Sequence, residues 1–256
     1  MGDLFTSAEM IAGYAHWRPA VHPRIINLVR RRLRISGRVP LALDIGCGAG
    51  LSTAALEVLA DRVIGIEPVS AMLTPAAEVA PLACFAAGRA EQLPIRSGLV
   101  DLATAAGSLN LADLSRFFPE TRRVLRPSGR LVIYDFGMGR DFRGSAHLAR
   151  WCEEFDRRYP PPPASELGPG SIHPEPYGIR ITGQERFEVA IALTPEFYLE
   201  YALTETGVAA AIQRGTPASK IRAWCRRSLA AVFNDAVQEV LFRGYIIYAA
   251  PTSPRP

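Results

Sequence analysis

The sequence predicts a doubly wound α/β fold, a mostly parallel sheet with helices on both faces. Three observations predict it. Short apolar strand patterns alternate with helical ones from residue 41 to 136, the first strand ends in a glycine-rich turn, and the second ends in a glutamate. At 256 residues the chain can build one large α/β domain or two small ones with a full-sized core. Hydrophobic residues make up 48% and charged residues 21%. Mean hydropathy is +0.08, a composition that excludes extended disorder.

Residues 7 to 35 have helical periodicity, broken at Arg18-Pro19, with a second helix expected from about Pro23. Leu41 to Ile45 reads as a buried strand, stopped by Gly46-Cys47-Gly48-Ala49-Gly50, and Ser52 to Leu59 as a helix. Arg62 to Ile66 is the second strand, and residues 70 to 79 are a helix interrupted near Pro75. Strands near 83 to 86, 99 to 104 and 130 to 136 continue the alternation, with a helix at Leu114 to Leu125. From Gly137 the rhythm changes. Residues 141 to 159 look helical, and the run Pro160 to Pro163 with its Gly/Pro-rich sequel reads as a rigid loop, although such a run can also be an SH3-type ligand. A strand at Phe187 to Leu193, helices near 195 to 206 and 217 to 240, and a closing strand at Tyr245 to Ala250 complete seven strands. The expected organisation is one domain: a helical extension (1–36), a core (37–136), an insertion (137–200) and C-terminal helices with the closing strand (201–256).

Cys47, Cys84, Cys152 and Cys225 form no CxxC pair, so neither a metal site nor a disulfide framework is expected. The net charge is +4 and the pI about 9.0. Arginines dominate, and Lys220 is the only lysine. The basic clusters at Arg30 to Arg32, Arg122-Arg123 and Arg226-Arg227 read as solvated helix faces, so no nucleic-acid partner is expected. No apolar run approaches the roughly 20 residues of a membrane span. Met1-Gly2-Asp3-Leu4-Phe5 lacks the pattern of a secretory signal, so a cytoplasmic monomer or homodimer is expected.

The densest chemical signal is Asp44 to Gly50. Glycines there let the backbone turn tightly and let a ligand approach with no Cβ in the way. The spacing is GxGxG: Leu51 stands where a dinucleotide-binding GxGxxG loop needs its third glycine. Asp44, two residues before Gly46, would repel a pyrophosphate but could receive an ammonium directly or through water. Glu67 ends the next strand, where a carboxylate can accept hydrogen bonds from both hydroxyls of a ribose.

At this point the chain resembles the class I S-adenosylmethionine-dependent methyltransferases, most closely the branch acting on small molecules: trans-aconitate, ubiquinone-type and natural-product methyltransferases. The resemblance rests on Tyr14 to Pro19, Asp44 to Gly50, Val63 to Met72, Gly88 to Pro94, Val100 to Leu102 and Arg123 to Leu131, in the family's order. It implies a Rossmann-like seven-stranded sheet, S-adenosyl-L-methionine as cofactor and S-adenosyl-L-homocysteine as product. It further implies that Gly46, Gly48 and Gly50 pack against the methionine portion, that Glu67 binds ribose, and that Pro68 and Met72 flank adenine. Ala90 and Glu91 would meet the adenine edge, and Ala106 to Asn110 would offer carbonyls to the amine. Tyr14 and Arg18 would close over the cofactor, Arg18 as a partner for its carboxylate. Two departures matter. Many relatives carry a Ser-Leu-His-Trp-like sequence where this chain has Ser108-Leu109-Asn110-Leu111, and Asn110 takes no proton at neutral pH; the Pro-Gly-Gly turn is Pro127-Ser128-Gly129.

Methyl transfer from a sulfonium is an in-line displacement on an activated carbon, so positioning and exclusion of water dominate. A base is needed only for a weakly acidic, protonated acceptor. Candidate bases are His16, His22, His147 and His173, of which His16 and His147, with Asn110 as a hydrogen-bonding group, are the expected catalytic set. Trp17, Phe136, Trp151, Phe155 and Tyr177 are the expected substrate contacts, Trp151 and Phe155 alternatively being the buried stripe of one helix. The acceptor is expected to be a small, carboxylated or aromatic metabolite. The alternative is a protein of this fold that binds the cofactor in a non-methylating or regulatory role.

Overall fold

A computed structural model describes residues 8–162 and 167–252. The terminal pentapeptide Met1 to Phe5 and Pro163 of the proline run lie outside the described residues. The elements are helices α1 (Ala8–Trp17) and α2 (Val21–Arg32), strand β1 (Val39–Ile45), α3 (Leu51–Leu56), β2 (Ala60–Glu67), α4 (Leu73–Val79), β3 (Cys84–Ala87), β4 (Val100–Ala106), α5 (Leu114–Val124) and β5 (Leu125–Phe136). After these come β6 (Asp141–Phe142), α6 (His147–Arg158), β7 (Ile179–Leu193), α7 (Pro195–Leu203), α8 (Thr206–Gln213), α9 (Ala218–Phe233) and β8 (Gln238–Pro251). They gather into two compact units, one of residues 8–21, 137–162 and 188–243, the other of residues 22–136, 167–187 and 244–252.

The second, larger unit holds the sheet in the order β3-β2-β1-β4-β5-β8, with β7 also paired to β8. β1 to β5 run parallel and β8 is antiparallel to β5. Alternation along the central strands decides the two faces. Leu41, Leu43 and Ile45 of β1, Ala103 and Ala105 of β4, and Leu131 and Ile133 of β5 point to one buried cluster with Phe117 and Phe118 of α5. Residues of the opposite parity, Asp44, Thr104 and Tyr134, are just as buried on the other face. α5 forms because Asp113 caps it, accepting from the Ser115 N–H at 2.9 Å, and its apolar stripe of Phe117, Phe118, Thr121 and Val124 goes into the core. Because β1 pairs with β2 on one side and β4 on the other, the chain reverses direction of winding between β1 and β4. In open α/β sheets the crevice outside that switch point takes ligands.

In the smaller unit α6 and α9 carry the core. Trp151 stacks on Phe155 at 5.0 Å and on Trp224 at 5.6 Å, and its indole N–H donates to Ser228 at 2.8 Å. Thr194 caps α7 by accepting from the Phe197 N–H.

Three expectations are corrected. Residues 141 to 159 are not one helix: Asp141–Phe142 pairs with Val240 and Leu241, Gly144 turns with φ of 80°, and α6 starts at His147. A separate helix, α8, follows α7. The last helix stops at Phe233 because Asn234 and Asp235 both take left-handed conformations, and the closing strand begins at Gln238 rather than Tyr245. Among the described residues no helix is long and apolar enough to cross a membrane, and no group of three His, Cys, Asp or Glu could hold a metal ion.

Candidate functional site

The carboxyl ends of β1, β2 and β4 build one site in the larger unit. After β1 the chain turns through Gly46, Gly48 and Gly50, all at positive φ (73°, 53° and 85°). A side chain at Gly46 would place its Cβ 2.4 Å from the Ser108 Cβ, and one at Gly50 would meet the Ala76 backbone at 2.9 Å. Glycine is therefore demanded twice, by conformation and by close approach. Ser108 donates from its hydroxyl to the Ile45 carbonyl at 2.8 Å, tying the loop after β4 to the end of β1.

Glu67 closes β2 and is 8% exposed. Its Oε2 accepts from the Gly48 N–H at 3.0 Å and its Oε1 from the Val69 N–H at 2.9 Å. Each oxygen keeps acceptor capacity beyond its one backbone donor. Burial raises the Glu67 pKa above its ordinary value, and the two backbone donors offset only part of that.

Asp44 is fully buried and accepts from the hydroxyls of Ser52 (2.6 Å), Thr53 (2.7 Å) and Thr104 (2.9 Å). Burial pushes its pKa up against the pull of those three donors. The carboxylate presents no surface of its own, so it meets no ammonium directly, and its hydrogen bonds fasten the start of α3 and the middle of β4 to β1. Sequence gave no warning of Thr104, which lies 60 residues away. The Ser52-Thr53 pair straight after the turn was the readable signal.

The remaining cofactor candidates are placed as follows. Met72 is buried and Pro68 exposed at the head of α4. Ala90 is half-buried and packs against the cluster under β1. The Glu91 carboxylate accepts from the Asp113 N–H at 2.9 Å and pairs with Arg89 at 3.5 Å, so it braces the entry to α5. Ala106 ends β4, half-buried, and Asn110 is exposed in the short turn beyond it.

Tyr14, His16, Trp17, Arg18, His147, Trp151 and Phe155 belong to the smaller unit. There Arg18 pairs with Glu205 at 3.2 Å, donates to the Thr204 carbonyl at 3.3 Å, and lies over the rings of Tyr14 (4.3 Å) and Tyr201 (5.1 Å). Burial opposes its charge, yet Glu205 and the two rings hold the guanidinium protonated. Trp17 packs edge-on against Phe197, and the exposed His16 lies against Trp17. His147 is exposed at the start of α6, and Trp151 and Phe155 are 5% and 2% exposed. The two rings form the helix stripe weighed above, facing each other and Trp224.

In the larger unit Tyr177 stacks on Phe118 over α5. Phe136 ends β5 between His22 (5.3 Å) and Phe187 (6.4 Å). His22 Nδ1 is 2.8 Å from the hydroxyl of the buried Tyr134. The two groups share a hydrogen bond whose direction depends on the imidazole tautomer. Two more residues escaped the expected set. One is the Ser108 hydroxyl, where only the backbone of that segment was expected to act; the other is Asp135, whose half-buried carboxyl lies beside the turn that leaves β4.

Comparison with known proteins agrees with this geometry. Residues 43–133 match a protein family described as a methyltransferase domain. The chain is 30% identical over 125 residues to a methyltransferase of Dictyostelium discoideum, covering 49% of this chain and 46% of that one. It is 30% identical over 129 residues to the ubiquinone/menaquinone biosynthesis C-methyltransferase of Campylobacter jejuni, covering 47% and 52%. The chain thus spans about half the length of the curated relatives it matches. A solved structure described as a type II methyltransferase from Anaeromyxobacter dehalogenans shares the fold over 90% of this chain and 97% of that one, with a TM-score of 0.70 and 24% identity. Residues 43–133, from β1 to β5, thus match a methyltransferase domain, and the fold that carries them is the Rossmann-like α/β fold found in methyltransferases of known structure.

Proposed function

We propose that this chain transfers a methyl group from S-adenosylmethionine to a small-molecule acceptor. The observation that carries the reading is Glu67, a nearly buried carboxylate at the end of β2 with one backbone donor on each oxygen, beside a turn in which Gly46 and Gly50 leave no room for side chains. Those residues fit an adenosyl ligand. Glu67 would hold the ribose hydroxyls, the Gly46–Gly50 backbone would approach the sulfur-bearing chain, and the loop from Ala106 to Asn110 would present carbonyls to the amine. When bound, S-adenosylmethionine supplies an activated methyl carbon. The protein's share is to fix that carbon against the acceptor and keep water out. Asp44 and Ser108 serve this by holding β1, α3 and the loop after β4 in one rigid frame. The geranyl diphosphate methyltransferase solved with S-adenosylmethionine, whose fold this chain shares with a TM-score of 0.51 over 90% of its length, supports a small-molecule acceptor.

The test is methyl-labelled S-adenosylmethionine incubated with the purified protein and fractionated cell extract. Label in a small-molecule fraction, matched by S-adenosylhomocysteine, is expected. Label confined to RNA or protein would overturn the reading.

A further inference from the structure

We infer that Asp135 is the group that faces the transferred methyl and takes the proton of the acceptor, which makes the acceptor a hydroxyl, an amine or an acidic C–H rather than a carboxylate. This deepens the proposed function and rests on it.

Strand order places Asp135 at the site. Glu67 ends β2, the glycine turn ends β1, and the Ser108 loop ends β4, so a ligand whose ribose is on Glu67 runs across the switch point toward β4. The next strand in that direction is β5, whose last two residues are Asp135 and Phe136. Gly107 leaves β4 by donating to the Tyr134 carbonyl at 2.9 Å, which sets the turn directly beside Asp135. A Cβ at Gly107 would stand 3.0 Å from the Asp135 Oδ1, at a φ of 62° that glycine tolerates.

Among the described residues Asp135 has no ion pair, and its carboxyl has one hydrogen bond, from the Phe136 N–H to Oδ1 at 2.8 Å. Across the sheet it is paired with Tyr245, whose hydroxyl donates away, to the Leu167 carbonyl at 2.8 Å. Burial lifts the carboxyl above its ordinary value, as a general base needs. The other candidates near β5 are weaker: His22 Nδ1 is engaged with the Tyr134 hydroxyl at 2.8 Å, and Asn110 takes no proton. Phe136, flanked by His22 and Phe187, supplies an apolar wall on the opposite face of the same strand end.

The step balances without a further reactant. The acceptor oxygen, nitrogen or carbon bonds to the methyl carbon, the carbon–sulfur bond breaks with its electron pair going to sulfur, and the acceptor's proton goes to Asp135 and on to water. A carboxylate acceptor has no proton to give and would be repelled by Asp135.

Sinefungin tests this without knowing the acceptor, because it carries an amine-bearing carbon in place of the methylated sulfur. Its affinity is compared with that of S-adenosylhomocysteine, by calorimetry, in wild type and Asp135→Asn. The two ligands share every other group, so contributions from Glu67 and the glycine turn cancel in the ratio. Loss of about tenfold or more for sinefungin alone is expected, with Asp135→Glu restoring part of it. Equal losses for both ligands, or none, would show that Asp135 merely finishes the strand and would overturn the proposal. If Asp135→Asn does not fold by circular dichroism, Asp135→Ser decides by the same ratio. If neither ligand binds wild type, the methyltransferase reading itself fails and takes this one with it. Isolation of a methyl ester as product would also overturn it.

Discussion

The carboxylate of Glu67 accepts a hydrogen bond from the Gly48 backbone N–H at 3.0 Å, which makes the end of β2 and the turn after β1 a single piece of structure. The residue proposed to hold the cofactor thus also shapes the loop proposed to contact it.

This pairing gives a pH signature. Glu67 can accept from ribose hydroxyls on both oxygens only when ionised, and burial has raised its pKa above 4.5. Affinity for S-adenosylhomocysteine is therefore expected to fall on acidification at a pH above the ordinary glutamate range, and the fall should be absent in Glu67→Gln. The ligand-free protein should respond with the opposite sign. A raised folded-state pKa favours the folded form below the unfolded value, and that contribution is lost as pH rises through the folded one. Calorimetry from pH 5 to 8 on both proteins checks the first statement, and denaturant melts over the same range the second.

Asp44 is expected to matter for stability first. Asp44→Ala leaves the Ser52 and Thr53 hydroxyls without their shared acceptor and Thr104 with only the Leu43 carbonyl at 3.5 Å, and a loss of about 3 kcal/mol is expected. Thr104→Val should cost about 1 kcal/mol. Urea unfolding measures both, and an Asp44→Ala variant as stable as wild type would contradict the fastening role.

Gly46→Ala combines a positive φ with a clash against Ser108. The conformational part alone costs roughly 1–2 kcal/mol. Ser108→Gly in the same chain removes the struck atom, so the double variant should recover stability over Gly46→Ala. A thermal-melt cycle reads that coupling, and strictly additive effects would refute the contact.

In the smaller unit, Trp151→Ala is expected to cost about 3–5 kcal/mol, because the indole stacks on Phe155 and Trp224 and donates to Ser228. A side chain that only lined a substrate pocket would leave the denaturant midpoint unchanged.

What the sequence disclosed, and what it hid, follows from the range of each interaction. β1 to β5 were legible because each is a short apolar run bounded by its own turn residues, and Glu67 because a strand end after a glycine turn is a local pattern. The partners of Asp44 were hidden. Ser52 and Thr53 are near in sequence, but Thr104 reaches it only through the β1–β4 register. Asp135 escaped for the same reason, since its relation to Gly107 and Tyr245 comes from pairing with β4 and β8. Helix propensity through 234 to 240 concealed the start of β8, because nothing local announces that Asn234 and Asp235 both turn left-handed. Trp151 and Phe155 could be read as pocket or as core until the position of Trp224 was known.

The most direct test of the account is calorimetry of S-adenosylmethionine and S-adenosylhomocysteine with wild type and Glu67→Ala. Micromolar binding of both to wild type, weakened by about 1–3 kcal/mol when the carboxylate is removed, is the predicted result. Binding of neither ligand to wild type, or equal affinity in the two proteins, would contradict it.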